Sequence, residues 1–220
     1  MKTTALLFDL DGTLIDSRED IAASANHLRM QRGREPLSLE VVGSYIGDGI
    51  EALVRRVMDL GPGADVAADT DLFRRYYHDH CVEKTFAYDG VAETLALLAS
   101  RSYRMAVVTN KPEKISVRIL EILGLLPHFA AVIGGNSTPF KKPRPEPLYA
   151  ACDRLGTAKE AAWMVGDSSI DVQAARSAGI PCAGILGGIG EEAALKASAP
   201  ALILPRFHAL LDYFPPVQQS

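Results

Sequence analysis

Cysteine is scarce: Cys81, Cys152 and Cys182 are odd in number and far apart in a chain of 220 residues. That pattern fits neither a secreted disulfide framework nor a zinc site built from paired ligands, and a reducing cytoplasm is its natural setting. No apolar stretch is long enough to span a bilayer, and the one lysine before the first apolar run leaves no room for a signal peptide. A soluble, unprocessed protein is expected. An excess of charge of one sign is also lacking. Lysine and arginine number 23 against 27 acidic residues, a formal net charge of −4, so nothing draws the whole chain to nucleic acid or an anionic membrane. Neither an internal repeat nor a low-complexity segment appears.

What is present is a chain with 48% hydrophobic residues, enough to bury a substantial core. Short apolar runs bounded by turn residues predict strands at Ala5 to Phe8, Met105 to Val108, Ala131 to Ile133, Ala162 to Val165, Cys182 to Leu186 and Ala201 to Leu204. Between them apolar residues return to one face every three or four positions, as at Val91, Leu95 and Leu98, or Ile115, Ile119 and Ile122, or Leu148, Cys152 and Leu155. Pro112 stands where a first helical turn begins, and Gly124, Gly156 and Gly179 stand where helices end. Strand and helix alternate, which predicts an α/β fold with a doubly wound parallel sheet.

Residues from about 16 to 88 break the alternation and read as helices only: Ile21 to Met30, a stripe of Ile50, Leu53, Val54, Val57 and Met58, and another of Phe73, Tyr76, Tyr77 and Cys81. This is a small all-helical insert. Its two connections, near Leu14 to Ser17 and Phe86 to Gly90, are placed to act as a hinge.

In an open parallel sheet, ligands bind beyond the carboxyl ends of the strands. There the first strand ends in Asp9 and Asp11, the second in Thr109 and Asn110, and the fourth in "GDSSID" with Asp167 and Asp171, while "FKKPRPEP" follows the third. Acids gathered at one edge repel unless a cation compensates, and magnesium suits a few carboxylates with open positions. Asp9 and Asp167 are the first candidates for ligands. A chain turning off a strand can aim both acids of D-x-D at one reacting group, one to attack and one to transfer protons. Lys142 and Thr109 complete an anion site, so the set suits phosphoryl transfer.

"DLDGTLIDS", "VVTNK", "KKPRPEP" and "VGDSSID", in this order, resemble the four motifs of haloacid dehalogenase-like phosphatases. The resemblance implies a Rossmann-like core of residues 1–15 and 88–220 and a helical cap of residues 16–87. It makes Asp9 the nucleophile, Asp11 the acid/base, and Thr109, Asn110 and Lys142 the phosphate-binding residues. Magnesium is held by Asp9, the Asp11 backbone carbonyl and Asp167, with Asp171 nearby. "SYIGDGIEALVRRVM", "AYDGVAETLALL" and "GGNSTPFKKPRPEPLYAAC" look most like phosphoglycolate phosphatases, although "GILGGIGEE" departs from that subfamily's loop. The implied reaction is hydrolysis of 2-phosphoglycolate to glycolate and phosphate through an aspartyl-phosphate, by a monomer or homodimer. Another sugar or amino-sugar phosphate, a β-phosphoglucomutase-like phosphomutase and a non-catalytic phospholigand-binding module are the alternatives.

Other residues have plainer readings. Asp171 serves either as a metal ligand or as a first-turn acid, or both. Gly47, Asp48 and Gly49 either contact substrate from the cap or simply turn the chain into the next helix. Lys141, Arg55 and Arg56 read as solvated or salt-bridged. His78 and His80 read as helix-face residues, the tyrosines of the insert as core, and Cys152 and Cys182 as buried and inert. Gly187, Gly188 and Gly190 read as a flexible loop at the site.

Overall fold

The computed structural model describes residues 3–217. The first apolar run forms β1 (Ala5–Phe8), buried along its whole length. After a tight turn comes the two-residue β2 (Ile15–Asp16), and then four helices: α1 (Arg18–Gln31), α2 (Leu39–Gly43), α3 (Ile50–Val57) and α4 (Ala67–His80). The next strand, β3 (Phe86–Ala87), pairs antiparallel with β2, so one short ribbon holds both ends of the helical segment. Helix and strand then alternate through α5 (Val91–Ser100), β4 (Arg104–Val108), α6 (Glu113–Ile122), β5 (Ala131–Ile133), α7 (Glu146–Leu155) and β6 (Ala162–Gly166). The chain ends with α8 (Ser169–Ala178), β7 (Cys182–Ile185), α9 (Glu192–Ala197), β8 (Leu202–Leu204) and α10 (Leu210–Tyr213).

Six strands make one parallel sheet in the order β5-β4-β1-β6-β7-β8. Leu7 of β1 stands opposite Ala106 on one side and Met164 on the other. Strand residues alternate between faces, so Leu6 and Phe8 join one apolar cluster with Val107, Val165 and the helices α5 and α6, whereas Ala5 and Leu7 join a second with α7 and α8. Both faces are covered, as an all-parallel sheet requires. The chain leaves β1 in one direction through β4 and β5 and then in the other through β6, β7 and β8. The order therefore reverses between β1 and β6, and a crevice opens beyond their carboxyl ends.

The insert is not a separate core. Leu53 and Val54 of α3 and Phe73 and Tyr77 of α4 belong to the same continuous buried cluster as Leu6 and Phe8. At its exit, the buried carboxylate of Asp20 on α1 accepts hydrogen bonds from the Glu83, Lys84 and Thr85 amides at 2.8–3.0 Å and from Thr85 Oγ1 at 2.7 Å. Replacing Asp20 with alanine orphans the buried Thr85 amide and hydroxyl. The expected loss is about 3 kcal/mol, read as a lower urea midpoint with an unchanged slope.

Element ends differ in small ways from the sequence expectation. Helix α1 begins three residues before Ile21, and Pro112 caps α6 from outside rather than occupying its first turn. Helix α2 had no visible apolar stripe because Val42 is its only buried residue; the Ser38 hydroxyl starts it by accepting from the Val41 amide. Gly124, Gly156 and Gly179 do follow helix ends, at φ of +70°, +58° and +72°.

Candidate active site

Asp9 is still on the β ladder, its amide bonded to the Val165 carbonyl at 2.9 Å. The chain then turns sharply: the amides of Thr13, Leu14 and Ile15 all point to the Leu10 carbonyl. Gly12 makes the turn at φ +87°, where a Cβ would lie 2.0 Å from Asp167 Oδ2. The turn carries Asp11 away from Asp9. Its Oδ1 accepts from Ser17 Oγ at 2.5 Å and from Lys111 Nζ at 2.6 Å.

Lys142 comes from the loop after β5, with its side chain 2% exposed. Its Nζ lies 2.9 Å from Asp9 Oδ1 and 2.7 Å from Asp171 Oδ1. Asn110 fixes that loop by accepting from the Lys142 amide and donating to the Lys142 carbonyl, both at 2.9 Å, and it also donates to the Gly47 carbonyl at 2.8 Å. Thr109 stays on the ladder through the Ile133 carbonyl.

Asp167 follows β6 and accepts from Thr13 Oγ1 at 2.9 Å and from the Ile189 and Gly190 amides at 2.9 and 2.8 Å. Asp171 closes a capping box with Ser168 at the start of α8 and bonds Lys142 from its other oxygen, so it is a first-turn acid that also faces the cluster.

One oxygen from each of Asp9, Asp167 and Asp171 lies within 4.8 Å of the others. Burial drives the Asp9 carboxyl up; Lys142 opposes the rise, Asp171 and Asp167 add to it, and the result is about 8. Burial and Asp171 likewise push Asp167 up to about 6. Burial works against the Lys142 ammonium, but Asp171 and Asp9 outweigh it and hold the lysine charged. Three carboxylates around one ammonium cannot all ionise comfortably. A donor set made only of oxygens, carrying excess negative charge, fits a hard divalent cation. The Asp11 carboxylate is outside this trio, turned instead to Ser17 and Lys111.

Above Asp9 and Asp11 lies a pocket. Thr109, Asn110 and Lys111 border it from the sheet side, and Ile46, Ile50, Leu53 and Phe73 cover it from the insert. Gly47 and Gly49 reach its wall, but Asp48 does not: its half-exposed carboxylate pairs with Arg56. Lys141 is less free than expected, because its Nζ meets Glu51 Oε2 of α3 at 2.5 Å. The 187–190 loop is pinned to Asp167 rather than loose; a Cβ on Gly188 would lie 2.3 Å from the Gly12 carbonyl oxygen. His78 and His80 pair with Asp79 and Glu83 on the surface of α4 and its exit. Cys152 and Cys182 are buried, and burial pushes the Cys152 thiol up to about 11.

Two side chains that line the pocket had no role in the sequence reading. Lys111 bonds Asp11, as described, and also the Tyr77 hydroxyl at 2.6 Å. Lys111 is the last residue of "VVTNK", so it was in view without a role. Tyr77 lay on an apolar stripe and read as core. It is core in its ring, but its hydroxyl reaches the pocket wall.

A model of the haloacid dehalogenase-like hydrolase family matches residues 6–185. The phosphoglycolate phosphatase of Chromobacterium violaceum is 42% identical over 193 residues, 84% of this chain and 85% of that protein. A plasmid-borne phosphoglycolate phosphatase of Cupriavidus necator is 39% identical over 216 residues, 92% of this chain and 94% of that one. The crystal structure of a predicted phosphoglycolate phosphatase from Haemophilus somnus superposes with a TM-score of 0.90 at 32% identity, covering 97% of this chain and 98% of the other. With sheet order, strand-end acids and relatives in agreement over most of its length, the chain belongs to the haloacid dehalogenase-like hydrolases.

Proposed function

We propose that the protein is a magnesium-dependent phosphatase that hydrolyses 2-phosphoglycolate to glycolate and phosphate through an aspartyl-phosphate. Its class, a phosphoric monoester hydrolase, rests on the family and on relatives that are phosphoglycolate phosphatases. The observation that carries the reading is the division of labour between two neighbouring acids. Asp9 shares a buried cluster with Lys142, Asp167 and Asp171, whereas Asp11 is held apart by Ser17 and Lys111 and borders the same pocket.

In this reading Asp9 attacks phosphorus as its leaving oxygen takes a proton from Asp11, and Asp11 then draws a proton from water that attacks the aspartyl-phosphate. Lys142 and Thr109 hold the phosphoryl oxygens, and Asn110 positions the Lys142 backbone. Magnesium, held by Asp9, Asp167 and Asp171 with the Asp11 carbonyl, would neutralise charge on the phosphoryl group. Residues 16–87 act as a cap on the core of 1–15 and 88–220. The Asn110–Gly47 and Lys141–Glu51 contacts hold it closed, and closure shuts out bulk water. The three free cysteines suit a cytoplasmic enzyme. The described residues include no helix long and apolar enough to cross a membrane.

The test is phosphate release from a panel of 2-phosphoglycolate, hexose phosphates and amino-sugar phosphates. The expected result is preferential turnover of 2-phosphoglycolate with magnesium and at least about a 10²-fold loss after chelation. Preference for a hexose phosphate overturns the substrate, and turnover untouched by chelation overturns the metal.

A further inference from the structure

Lys111 is the one cation among the described residues that line the pocket. Its side chain is only 4% exposed, and its Nζ donates to Asp11 Oδ1 and to the Tyr77 hydroxyl. An ammonium has three donors, so one is left over. Tyr77 accepts from Lys111, and its own O–H proton meets no acceptor among the described residues, although the residue is 1% exposed. Two buried side chains, from α4 of the insert and from the turn after β4, thus hold adjacent unspent donors at one pocket wall. The remaining cover, Ile46, Ile50, Leu53 and Phe73, offers no side-chain partner to the hydroxyls of a sugar, which would be left unpaired on burial.

Reach narrows the ligand further. An ester oxygen protonated by Asp11 would lie about 2.7 Å from its carboxyl, and Lys111 is in contact with the same carboxyl. An anionic group one carbon away from that oxygen therefore falls within reach of Lys111 and Tyr77. We propose that Lys111 and Tyr77 together bind the substrate's carboxylate and make the enzyme selective for phosphate esters of 2-hydroxy acids. This rests on the phosphoglycolate reading above and adds the residues that produce the selectivity.

The experiment compares kcat/KM for 2-phosphoglycolate and for 2-hydroxyethyl phosphate, which carries an alcohol in place of the carboxylate. Wild-type enzyme is expected to prefer 2-phosphoglycolate by about 10²-fold or more, as a site with buried donors rejects a ligand that leaves them unpaired. Lys111→Met reduces that preference to less than about tenfold and Lys111→Arg keeps most of it, because the charge survives. Tyr77→Phe, which removes one oxygen, lowers the preference by about tenfold and carries the test if Lys111→Met does not fold. Variants that lose activity equally on both esters, with the preference intact, overturn the proposal: Lys111 then acts through Asp11 alone. A wild-type enzyme without the preference overturns the phosphoglycolate reading as well, so the two failures are distinct.

Discussion

Asp9→Asn is expected to abolish phosphate release from the proposed substrate, 2-phosphoglycolate, with kcat at least about 10⁴-fold below wild type, because no other carboxylate is placed to take over the attack. Asp11 is the nearest alternative, but its carboxylate is held by Ser17 and Lys111, and Asp167 is tied to Thr13 and the backbone of the 189–190 loop. The loss is not one of folding. Asparagine has nearly the shape of aspartate and keeps a carbonyl oxygen for the Leu10 amide, while removing one of three crowded charges. Burial, with Asp171 and Asp167 and against Lys142, pushes the Asp9 carboxyl up, so its charge is costly to hold in the folded protein. A metal-free melt of Asp9→Asn should therefore match or exceed wild type while phosphate release is lost. Turnover within tenfold of wild type contradicts the assignment.

Lys142→Met is expected to fail in the opposite way on stability. The Lys142 ammonium touches both Asp9 and Asp171 from a site almost sealed from solvent. Removing one partner of a buried ion pair leaves uncompensated charge, at a cost of about 3–5 kcal/mol. The partner acids relieve part of this by holding protons, which puts Asp9 in its unreactive form. Loss of a preorganised cation at the transferring group should reduce kcat by a further 10²–10³-fold or so. Magnesium should restore part of the melting temperature, since it supplies positive charge to the same acids, but not the rate. Urea melts and initial rates with and without magnesium check both halves. A Lys142→Met enzyme as stable and as active as wild type contradicts the account.

The acids at the strand ends were legible because alternation and turn residues locate the end of a buried strand, and a charged residue there has only the crevice to face. Asp9, Asp167 and Thr109 follow from that rule. The sheet order supports it, with the reversal falling between β1 and β6. Lys111 was not legible in the same way. Its role depends on meeting Asp11, a hundred residues earlier, and Tyr77, on a helix of the insert. No local period records that meeting. The 187–190 loop was opaque for another reason: it serves Asp167 through backbone amides, which every residue but proline offers, and Gly188 and Gly190 reflect the absence of room beside Gly12 and Asp167. Asp48 illustrates the converse. Its position beside two glycines at the pocket wall suggested a ligand contact, but an acid on the exposed side of a turn finds Arg56 first. Asp20, just ahead of the helix read from Ile21, gave no signal because its partners are the amides of a loop more than sixty residues away.

The most direct test of the central claim is to catch the phosphoryl group on the protein. Asp11→Asn is the enzyme to use, because a group needed to activate water in the second step should be missed there and the intermediate should accumulate. The variant is mixed with 2-phosphoglycolate and magnesium, quenched in acid within a single turnover, and digested for mass spectrometry. The account predicts phosphate on the peptide that contains Asp9 and nowhere else, and none after chelation of the metal. Phosphate released in that turnover with Asp9 never labelled, or a label carried by another residue, contradicts it.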